Sequence, residues 1–177
     1  IGQGYIQTTP IQLCLMTAQI ANGGYKIYPK LIYSEDKKNE PSDKFIPLFK
    51  NSKNIKIIQD AMFSSTNEVM GTSYKSRIDD PKYQFAGKTG TAQVKRITER
   101  DRELNLKTLE IPYIERDHAL YVAFGPFKNP RYALSIVIEH GGSGSAVAAP
   151  IAKELFKIII DRHEIRKNFS NQKYLEI

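Results

Sequence analysis

The chain has 177 residues, 41% of them hydrophobic, which is enough for a folded core and argues against intrinsic disorder. Lys and Arg number 26 against 19 Asp and Glu, and the net charge of +7 would suit an anionic partner, but the basic residues are spread along the chain as on a solvated surface. The single cysteine excludes an internal disulfide, and no apolar run is long enough to cross a bilayer. Because the sequence opens at Ile1 without a signal peptide, we expect it to be a segment of a longer protein.

The first predicted element is an apolar helix over residues 11–21. Thr8 or Thr9 suits its N-cap, and Pro10 suits its first turn. The run Asn22-Gly23-Gly24 tolerates positive φ angles and ends the helix. Since apolar side chains occur on most of its sides, we expect this helix to be buried.

A second helix is predicted over residues 54–70. An extended stretch at 25–33 and a polar surface loop at 34–43 come before it, and Gly71 closes it. Its apolar positions recur at helical spacing. They are Ile55, Ile58, Met62 and Val69.

Three strands are predicted in the second half of the chain. Residues 84–94 form the first of them, with small residues at its centre. Residues 119–125 and 132–139 form an antiparallel hairpin, because a short connection rich in turn-forming residues joins two runs with strong strand signals. The charged segment 95–117 before this hairpin is long for a loop between strands, which indicates a functional or a mobile segment.

The last predicted element is a helix that begins near Ala148 and carries Pro150 in its first turn. It follows a flexible glycine-rich turn at 141–145, and His163 is expected at its end, where a cation suits the helix dipole. Consecutive strands with helices at both ends predict the α+β fold class, an antiparallel sheet flanked by helices. Residues outside this sequence can add strands to that sheet.

The segment that carries chemistry is Lys88-Thr89-Gly90-Thr91, in the first predicted strand. Lys-Thr-Gly is one of the signatures of serine acyl-transferases that react with β-lactams. A lysine at a strand edge places a cation in a cleft, and threonine hydroxyls flanking a glycine can hydrogen-bond a substrate carboxylate. The glycine lets a ligand approach the backbone, and a main-chain N–H of this strand can act as an oxyanion donor.

A phosphate-binding P-loop is the competing interpretation, because Gly87-Lys88-Thr89 matches the end of its consensus. That consensus requires a glycine where Lys82 stands, and it requires a helix after the lysine. Here Thr91-Ala92-Gln93-Val94 continues an extended pattern, which disfavours nucleotide binding.

Four stretches of the sequence are distinctive in combination. They are Ile1-Gly2-Gln3-Gly4-Tyr5 with Thr8-Thr9-Pro10-Ile11-Gln12-Leu13, then residues 85–94, then Arg116-Asp117-His118-Ala119 leading into Phe124-Gly125-Pro126, and finally Glu139-His140-Gly141-Gly142-Ser143-Gly144. In this order they resemble the penicillin-binding protein 2 family of Gram-negative bacteria, which are class B penicillin-binding proteins. The resemblance covers nearly the whole chain, apart from residues 34–54 and the tail after His163.

The resemblance implies that residues 1–177 are the C-terminal portion of one transpeptidase domain with the β-lactamase-like fold. It implies a D,D-transpeptidase that cross-links peptidoglycan during cell elongation, with D-Ala-D-Ala stem peptides as substrate, β-lactams as ligands and no cofactor. It further implies partners in the elongation machinery, namely a membrane glycosyltransferase and scaffold proteins. The implied location is the periplasmic face of the inner membrane, anchored by a helix upstream of this sequence.

The resemblance also assigns roles to residues of the motif. Lys88, Thr89, Gly90 and Thr91 form its catalytic segment, in which the hydroxyls of Thr89 and Thr91 also bind the substrate carboxylate. The Thr91 N–H is the second oxyanion donor, and Gln93 is a further substrate-binding residue. The family's nucleophilic serine, in S-x-x-K, and its S-x-N motif have no counterpart of the right spacing here. We therefore expect the nucleophile to lie upstream and this chain alone to be inactive.

Two other interpretations keep the same fold. One is a division-type class B protein, although Gly2-Gln3-Gly4-Tyr5 and residues 116–126 favour the elongation type. The other is a non-catalytic penicillin-recognising sensor or scaffold, which would retain Lys88 but lack acyl transfer. The presence or absence of an upstream S-x-x-K and S-x-N distinguishes the enzyme from this sensor.

The remaining polar candidates are expected to be structural. Cys14 lies in an apolar helix, His118 at a strand edge and His140 at a strand end beside the glycine turn. Three scattered histidines and one cysteine have no metal-ligand spacing, so no metal site is predicted. Aromatic and basic residues do not alternate regularly, which argues against nucleic-acid binding.

Overall fold

The computed structural model describes residues 6–31, 46–95 and 106–175, with Glu99 and Glu103, and the side chains of its last helix as far as Arg166. The helices are α1 (Pro10–Ala21), α2 (Ser52–Asn67) and α3 (Ala149–Leu175), and the strands are β1 (Ala86–Ala92), β2 (His118–Gly125) and β3 (Tyr132–Ile138). Short 3-10 turns occupy Tyr74–Ser76 and Tyr113–Glu115, and a π-helical turn occupies Gly144–Ala148.

The three strands form one antiparallel sheet in the order β1-β2-β3. In the β1–β2 ladder Lys88 lies opposite Val122 and Thr89 lies opposite Tyr121. The β2–β3 ladder confirms the predicted hairpin, and the sheet with its flanking helices confirms the α+β fold class. β1 is shorter at both ends than the predicted strand over 84–94.

One face of the sheet packs against α3 and forms the larger core. Phe85 stacks on Phe156 of α3 with ring centroids 4.9 Å apart, and it meets the Tyr121 ring edge-on at 6.4 Å. All three side chains are fully buried. The small residues of the same core allow the helix to approach the sheet closely. They are Ala119, Ala123, Ala149 and Ala152.

The opposite face is covered by α1 and α2. Met62 of α2 packs with Ala86 of β1 and Phe124 of β2 in a smaller core. The side chain of Gln59 joins the two helices, because its Nε2 donates to the carbonyl oxygen of Ile20 at 2.7 Å. The sheet is therefore held from both sides, and the C-terminal half of α2 lies against β1.

Helix α1 begins as predicted but is only partly covered. Thr9 is its N-cap in a capping box, with Gln12 Oε1 accepting from the Thr9 N–H at 2.8 Å. Thr17 is its only buried residue, whereas Ile11 and Met16 are 59% and 45% exposed. The prediction of a buried helix is therefore wrong, because an apolar composition does not specify which sides of a helix have a packing partner.

Helix α2 begins and ends earlier than predicted. It starts at Ser52 because Asn51 is an N-cap whose Oδ1 accepts from the Lys53 N–H at 2.9 Å. It ends at Asn67, before the predicted end at residue 70. This earlier end leaves residues 68–73 to turn back toward β1.

Helix α3 is longer than predicted at its C-terminus. Pro150 lies in its first turn as expected, but the helix continues to Leu175, so His163 is inside it. There His163 Nδ1 lies 2.6 Å from Tyr132 Oη, and Nε2 contacts Arg131. The predicted position of His163 at the helix end is wrong, and its described partners belong to β3 and the residue before it.

Some predictions fall outside the described residues. These are the loop at 34–43, the Ile1-to-Tyr5 stretch and, within the charged segment 95–117, residues 96–98, 100–102 and 104–105. The predicted extended stretch at 25–33 is described as far as Leu31 and contains one isolated bridge, between Tyr25 and Pro47. Within the described ranges, no helix has the length and apolarity that a membrane crossing demands.

The Phe85–Phe156 stack gives a test of the larger core. Replacing Phe156 by Ala removes a fully buried ring, and we expect the free energy of unfolding of the natural gene product to fall by about 3–5 kcal/mol. The matched control is Ile158→Ala on the same helix, at a side chain that is 50% exposed, which should cost far less. Urea unfolding measures both variants, and equal losses would contradict the assignment of this core.

Candidate active site

Strand β1 is an edge strand, paired with β2 alone in the part of the chain that the structure describes. Two contacts identify its outer edge. The Gly87 N–H donates to Thr66 Oγ1 at 3.1 Å, and the Phe85 carbonyl oxygen accepts from Asn67 Nδ2 at 2.9 Å. Main-chain groups alternate between the two edges of a strand. The N–H and C=O groups of every second residue from Gly87 onward therefore point away from β2.

This alternation places the main-chain groups of Thr89 and Thr91 on the outer edge of β1. Lys88 and Gly90 make the ladder with β2, opposite Val122 and Leu120. The predicted oxyanion donor, the Thr91 N–H, thus points away from β2. Its role as an oxyanion donor stays a prediction.

Lys88 is exposed and lies at the same edge. Its Nζ donates to the Thr89 carbonyl oxygen at 2.8 Å and to Thr89 Oγ1 at 3.3 Å. The ammonium group is therefore beside the outward-facing atoms of the motif, where it provides a positive charge within reach of solvent. The catalytic role that the sequence analysis assigns to this lysine stays a prediction.

The other predicted site residues lie along the same strand. Thr89 is partly buried, Thr91 is exposed near the end of β1, and Gln93 is exposed just beyond it. The structure adds Thr72, whose Oγ1 lies 3.4 Å from Thr89 Oγ1 and 3.2 Å from Ser65 Oγ. A row of hydroxyls thus leads from the end of α2 to the motif.

A second hydroxyl cluster lies beneath the motif and is fully enclosed. The phenol oxygen of Tyr121 is 2.9 Å from Thr66 Oγ1 and 3.0 Å from Ser73 Oγ. These three residues are at most 1% exposed. Burial raises the pKa of the Tyr121 phenol, against hydrogen bonds to Ser73 and Thr66 that lower it, so it stays protonated at neutral pH.

Two glycines near the motif are required by close contacts. A Cβ at Gly87 would lie 2.3 Å from Tyr121 Oη, so the phenol occupies the space of the missing side chain. A Cβ at Gly144 would lie 2.7 Å from the Gly90 carbonyl oxygen and 2.4 Å from that of Leu120. Gly144 therefore lets the π-helical turn contact the backbone of β1 and β2, and the predicted flexible turn at 141–145 ends before it.

His118 and His140 lie at the open end of the hairpin, where His118 pairs with Ala92 of β1. The His140 N–H donates to His118 Nδ1 at 2.9 Å, and His140 Nδ1 donates to the Arg116 carbonyl oxygen at 3.1 Å. Cys14 Sγ lies 3.4 Å from the Ala133 carbonyl oxygen, and burial raises the pKa of this thiol. Among the described residues no three His, Cys, Asp or Glu side chains are grouped to hold a metal ion.

Sequence reasoning located the motif but missed the hydroxyls that contact it. Thr66 and Ser73 are ordinary polar residues in a helix and a turn, and Tyr121 occurs in a run of strand formers. The available signal was Gly87 directly before the motif, because an interior strand glycine indicates a close approach of another group. Identifying the group required the β1–β2 register.

Comparison with known proteins gives the family. Residues 1–157 match the penicillin binding protein transpeptidase domain. The chain therefore belongs to this family of transpeptidase domains.

Curated relatives identify the branch of the family to which the chain is similar. Peptidoglycan D,D-transpeptidase MrdA of Salmonella typhimurium (strain SL1344) is 36% identical over 172 residues, which cover 91% of this chain and 26% of the relative. The protein of the same name from Escherichia coli (strain K12) is 33% identical over 166 residues, which cover 90% of this chain and 25% of the relative. The chain thus spans about a quarter of the length of these relatives.

Solved structures agree with this fold. The complex between PBP2 and MreC from Helicobacter pylori matches with a TM-score of 0.71 and 28% identity, over 91% of this chain and 26% of that one. Pseudomonas aeruginosa PBP2 in complex with WCK 5153 matches with a TM-score of 0.69 and 36% identity, over 89% of this chain and 32% of that chain. The arrangement of β1 to β3 with their helices is therefore that of a penicillin-binding protein transpeptidase domain.

The contact between Gly87 and Tyr121 predicts an asymmetry between the two glycines of β1. Gly87→Ala should destabilise the natural gene product by about 1–3 kcal/mol, because the added methyl overlaps a buried phenol. Gly90→Ala should cost less, since a Cβ there meets only Leu120 Cβ at 3.3 Å among the described residues. Urea unfolding of both variants measures the difference, and a larger loss at Gly90 would contradict it.

Ionisation of Tyr121 predicts a loss of stability at alkaline pH. Its folded-state pKa is raised. Its contribution to the free energy of unfolding is therefore fully present below the unfolded-state pKa of about 10 and is lost as the pH rises above that value. Tyr121→Phe lacks this ionisation, and its free energy of unfolding should fall less steeply than that of the parent above about pH 10. Parallel declines for parent and variant would contradict the assignment.

Proposed function

We propose that this chain is the C-terminal portion of one transpeptidase domain of a peptidoglycan D,D-transpeptidase of the elongation type. The observation that carries the proposal is the exposed Lys88 ammonium at the outer edge of β1, beside main-chain groups that point away from the sheet. Membership of the transpeptidase family and relatives named peptidoglycan D,D-transpeptidase support it.

In this proposal Lys88 supplies the cation of the cleft. Its Nζ now contacts its neighbour Thr89 at 2.8 Å, and the side chain is exposed and so able to turn toward a reacting group. A serine carried elsewhere in the gene product is the nucleophile. The lysine stabilises the anionic species that form near it and helps to move the serine proton, and positioned proton transfer of this kind contributes about 10²–10⁴-fold to rate.

The outer edge of β1 binds the substrate. The Thr91 N–H donates to the oxyanion, an interaction whose loss costs about 3–4 kcal/mol of barrier in related chemistry. The hydroxyls of Thr89 and Thr91 bind the terminal carboxylate, with Gln93 as a further contact. The residues alternate along one strand edge, which accounts for the extended form of the motif.

The proposed reaction is acyl transfer in two steps. The serine oxygen bonds to the penultimate D-alanine carbonyl carbon, the amide C–N bond breaks, and the terminal D-alanine leaves with the proton. An amine of a second stem peptide then attacks the ester, which restores the serine hydroxyl. With a β-lactam the broken amide stays tethered within the ring-opened product, so the acyl-enzyme persists.

The proposal extends to partners and location. The similarity to a PBP2 structure solved with MreC supports a scaffold protein as a partner. A membrane glycosyltransferase partner, and anchoring to the periplasmic face of the inner membrane by an upstream helix, follow from the family resemblance.

Covalent labelling tests the proposed chemistry. The natural gene product, incubated with benzylpenicillin and measured by intact mass spectrometry, should gain one adduct on a serine outside this chain. Lys88→Ala should slow adduct formation by about 100-fold or more, because it removes the proton-transfer group.

Lys157→Ala is the matched control for this labelling experiment. It removes one positive charge from α3, where Lys157 pairs with Glu154 at 3.3 Å, and should label at the parent rate. Absence of an adduct from folded parent protein would favour a non-catalytic sensor or scaffold. Equal labelling of the Lys88→Ala variant would remove Lys88 from the proposed site.

The elongation role has a separate test in cells. Depletion of the gene product should produce rounded cells if it acts in elongation. Filamentous cells would instead support the division-type alternative, with the transpeptidase chemistry unaffected.

A further inference from the structure

The polar residues around β1 form two parallel rows. Successive residues Ser65 and Thr66 at the end of α2 lie against successive residues Thr72 and Ser73 of the following turn. The outer pair, Ser65 and Thr72, has hydroxyl oxygens 3.2 Å apart, and the inner pair, Thr66 and Ser73, both contact Tyr121. The outer row reaches β1 at Thr89, and the inner row reaches it at Gly87.

The donors at the two ends of the inner row are fixed by chemistry. The Gly87 N–H can only donate, so Thr66 Oγ1 accepts it at 3.1 Å. Ser73 Oγ donates to the Ser65 carbonyl oxygen at 3.0 Å. Each hydroxyl has one hydrogen, and both contacts of the phenol are satisfied by the arrangement in which Thr66 donates to Tyr121 and Tyr121 donates to Ser73. The Thr66 hydroxyl also lies 3.4 Å from the Met62 carbonyl oxygen.

The result is one continuous chain of hydrogen bonds from Gly87 through Thr66, Tyr121 and Ser73 to Ser65. Every link is 3.1 Å or shorter. Hydrogen bonds in such a buried chain polarise and strengthen one another, and an unpaired member is costly. The chain therefore constrains β1 more strongly than its individual contacts do.

The two rows meet β1 on either side of Lys88. The inner row fixes the Gly87 N–H, and Tyr121 Oη fills the space below that residue. The outer row contacts Thr89 Oγ1 through Thr72 at 3.4 Å. Lys88 is thus bracketed by two residues whose positions are set from the end of α2.

We propose that the buried hydroxyls of Thr66, Ser73 and Tyr121 are positioning groups for the Lys88 motif, holding β1 so that Lys88 and the outward-facing threonines are aligned for acyl transfer. This inference rests on the proposed transpeptidase function. None of the three touches the reacting atoms, and each acts through the backbone of β1. Small misplacements matter, because a shift of about 1 Å in a reacting group can cost about 100-fold in rate.

The test uses single variants of the natural gene product. Tyr121→Phe removes the central hydroxyl and keeps the ring, and Thr66→Val removes the group that accepts from Gly87 and keeps the shape. Thr66→Ser retains that hydroxyl and serves as the conservative rescue. Tyr132→Phe on β3 is the matched control, since its hydroxyl contacts His163 and not this cluster.

Three quantities are measured for each variant: the unfolding midpoint, the amide hydrogen exchange of a peptide spanning β1, and the kinetics of benzylpenicillin acylation. The kinetics are separated into the non-covalent dissociation constant and the acylation rate constant. At temperatures below the unfolding transition, Tyr121→Phe and Thr66→Val should lower the acylation rate constant about tenfold or more. Both should also speed the amide hydrogen exchange of β1. Thr66→Ser and Tyr132→Phe should retain the parent rate constant.

The outcomes separate this inference from the proposed function. If the folded parent is acylated and Tyr121→Phe and Thr66→Val retain its rate constant, the hydroxyls only stabilise the fold and the inference is overturned. If Tyr132→Phe lowers the rate constant as much as Tyr121→Phe, the effect is not specific to the cluster and the inference is also overturned. If the folded parent forms no adduct, the proposed function fails and the inference fails with it.

Discussion

The structure depends on one steric constraint: position 87 has no room for a side chain. The phenol of Tyr121 occupies that space, so β1 and the end of α2 approach the same buried oxygen from two directions. The Gly87 N–H can then reach Thr66, and the segment after α2 can turn inward to bring Ser73 to the phenol. The path of the chain from α2 to the motif follows from this contact.

The two edges of β1 serve different purposes. Its inner edge completes the ladder with β2 and is supported from below by the Phe85–Phe156 stack. On the outer edge, the Phe85 carbonyl oxygen and the Gly87 N–H are hydrogen-bonded to side chains of α2. From Thr89 onward the strand passes the end of that helix. The change from the part of this edge that is bonded to α2 to the proposed substrate-binding part occurs at Lys88, where the motif begins.

Local features were predictable from the sequence, and long-range pairings were not. The N-cap at Thr9, the hairpin and the Lys88 motif each depend on a few neighbouring residues, and the structure contains all three strands. The meeting of Thr66, Ser73 and Tyr121 depends on a register between elements about 50 residues apart, which no local pattern encodes. The burial of α1 and the end of α3 were misjudged for a related reason, because helix signals specify periodicity and not the neighbouring surface.

The outward-facing backbone of β1 also limits how sequence change can alter recognition. An N–H donor at residue 91 belongs to the polypeptide and not to the side chain, so every amino acid except proline supplies it. Exchanging threonine for another residue there alters hydroxyls and bulk while the donor persists. A variant that is to move this donor must therefore displace the strand, and displacement is opposed by Tyr121, which pairs with Thr89 two residues away in the ladder. The position of this N–H thus depends on the supports of the strand as much as on the strand itself.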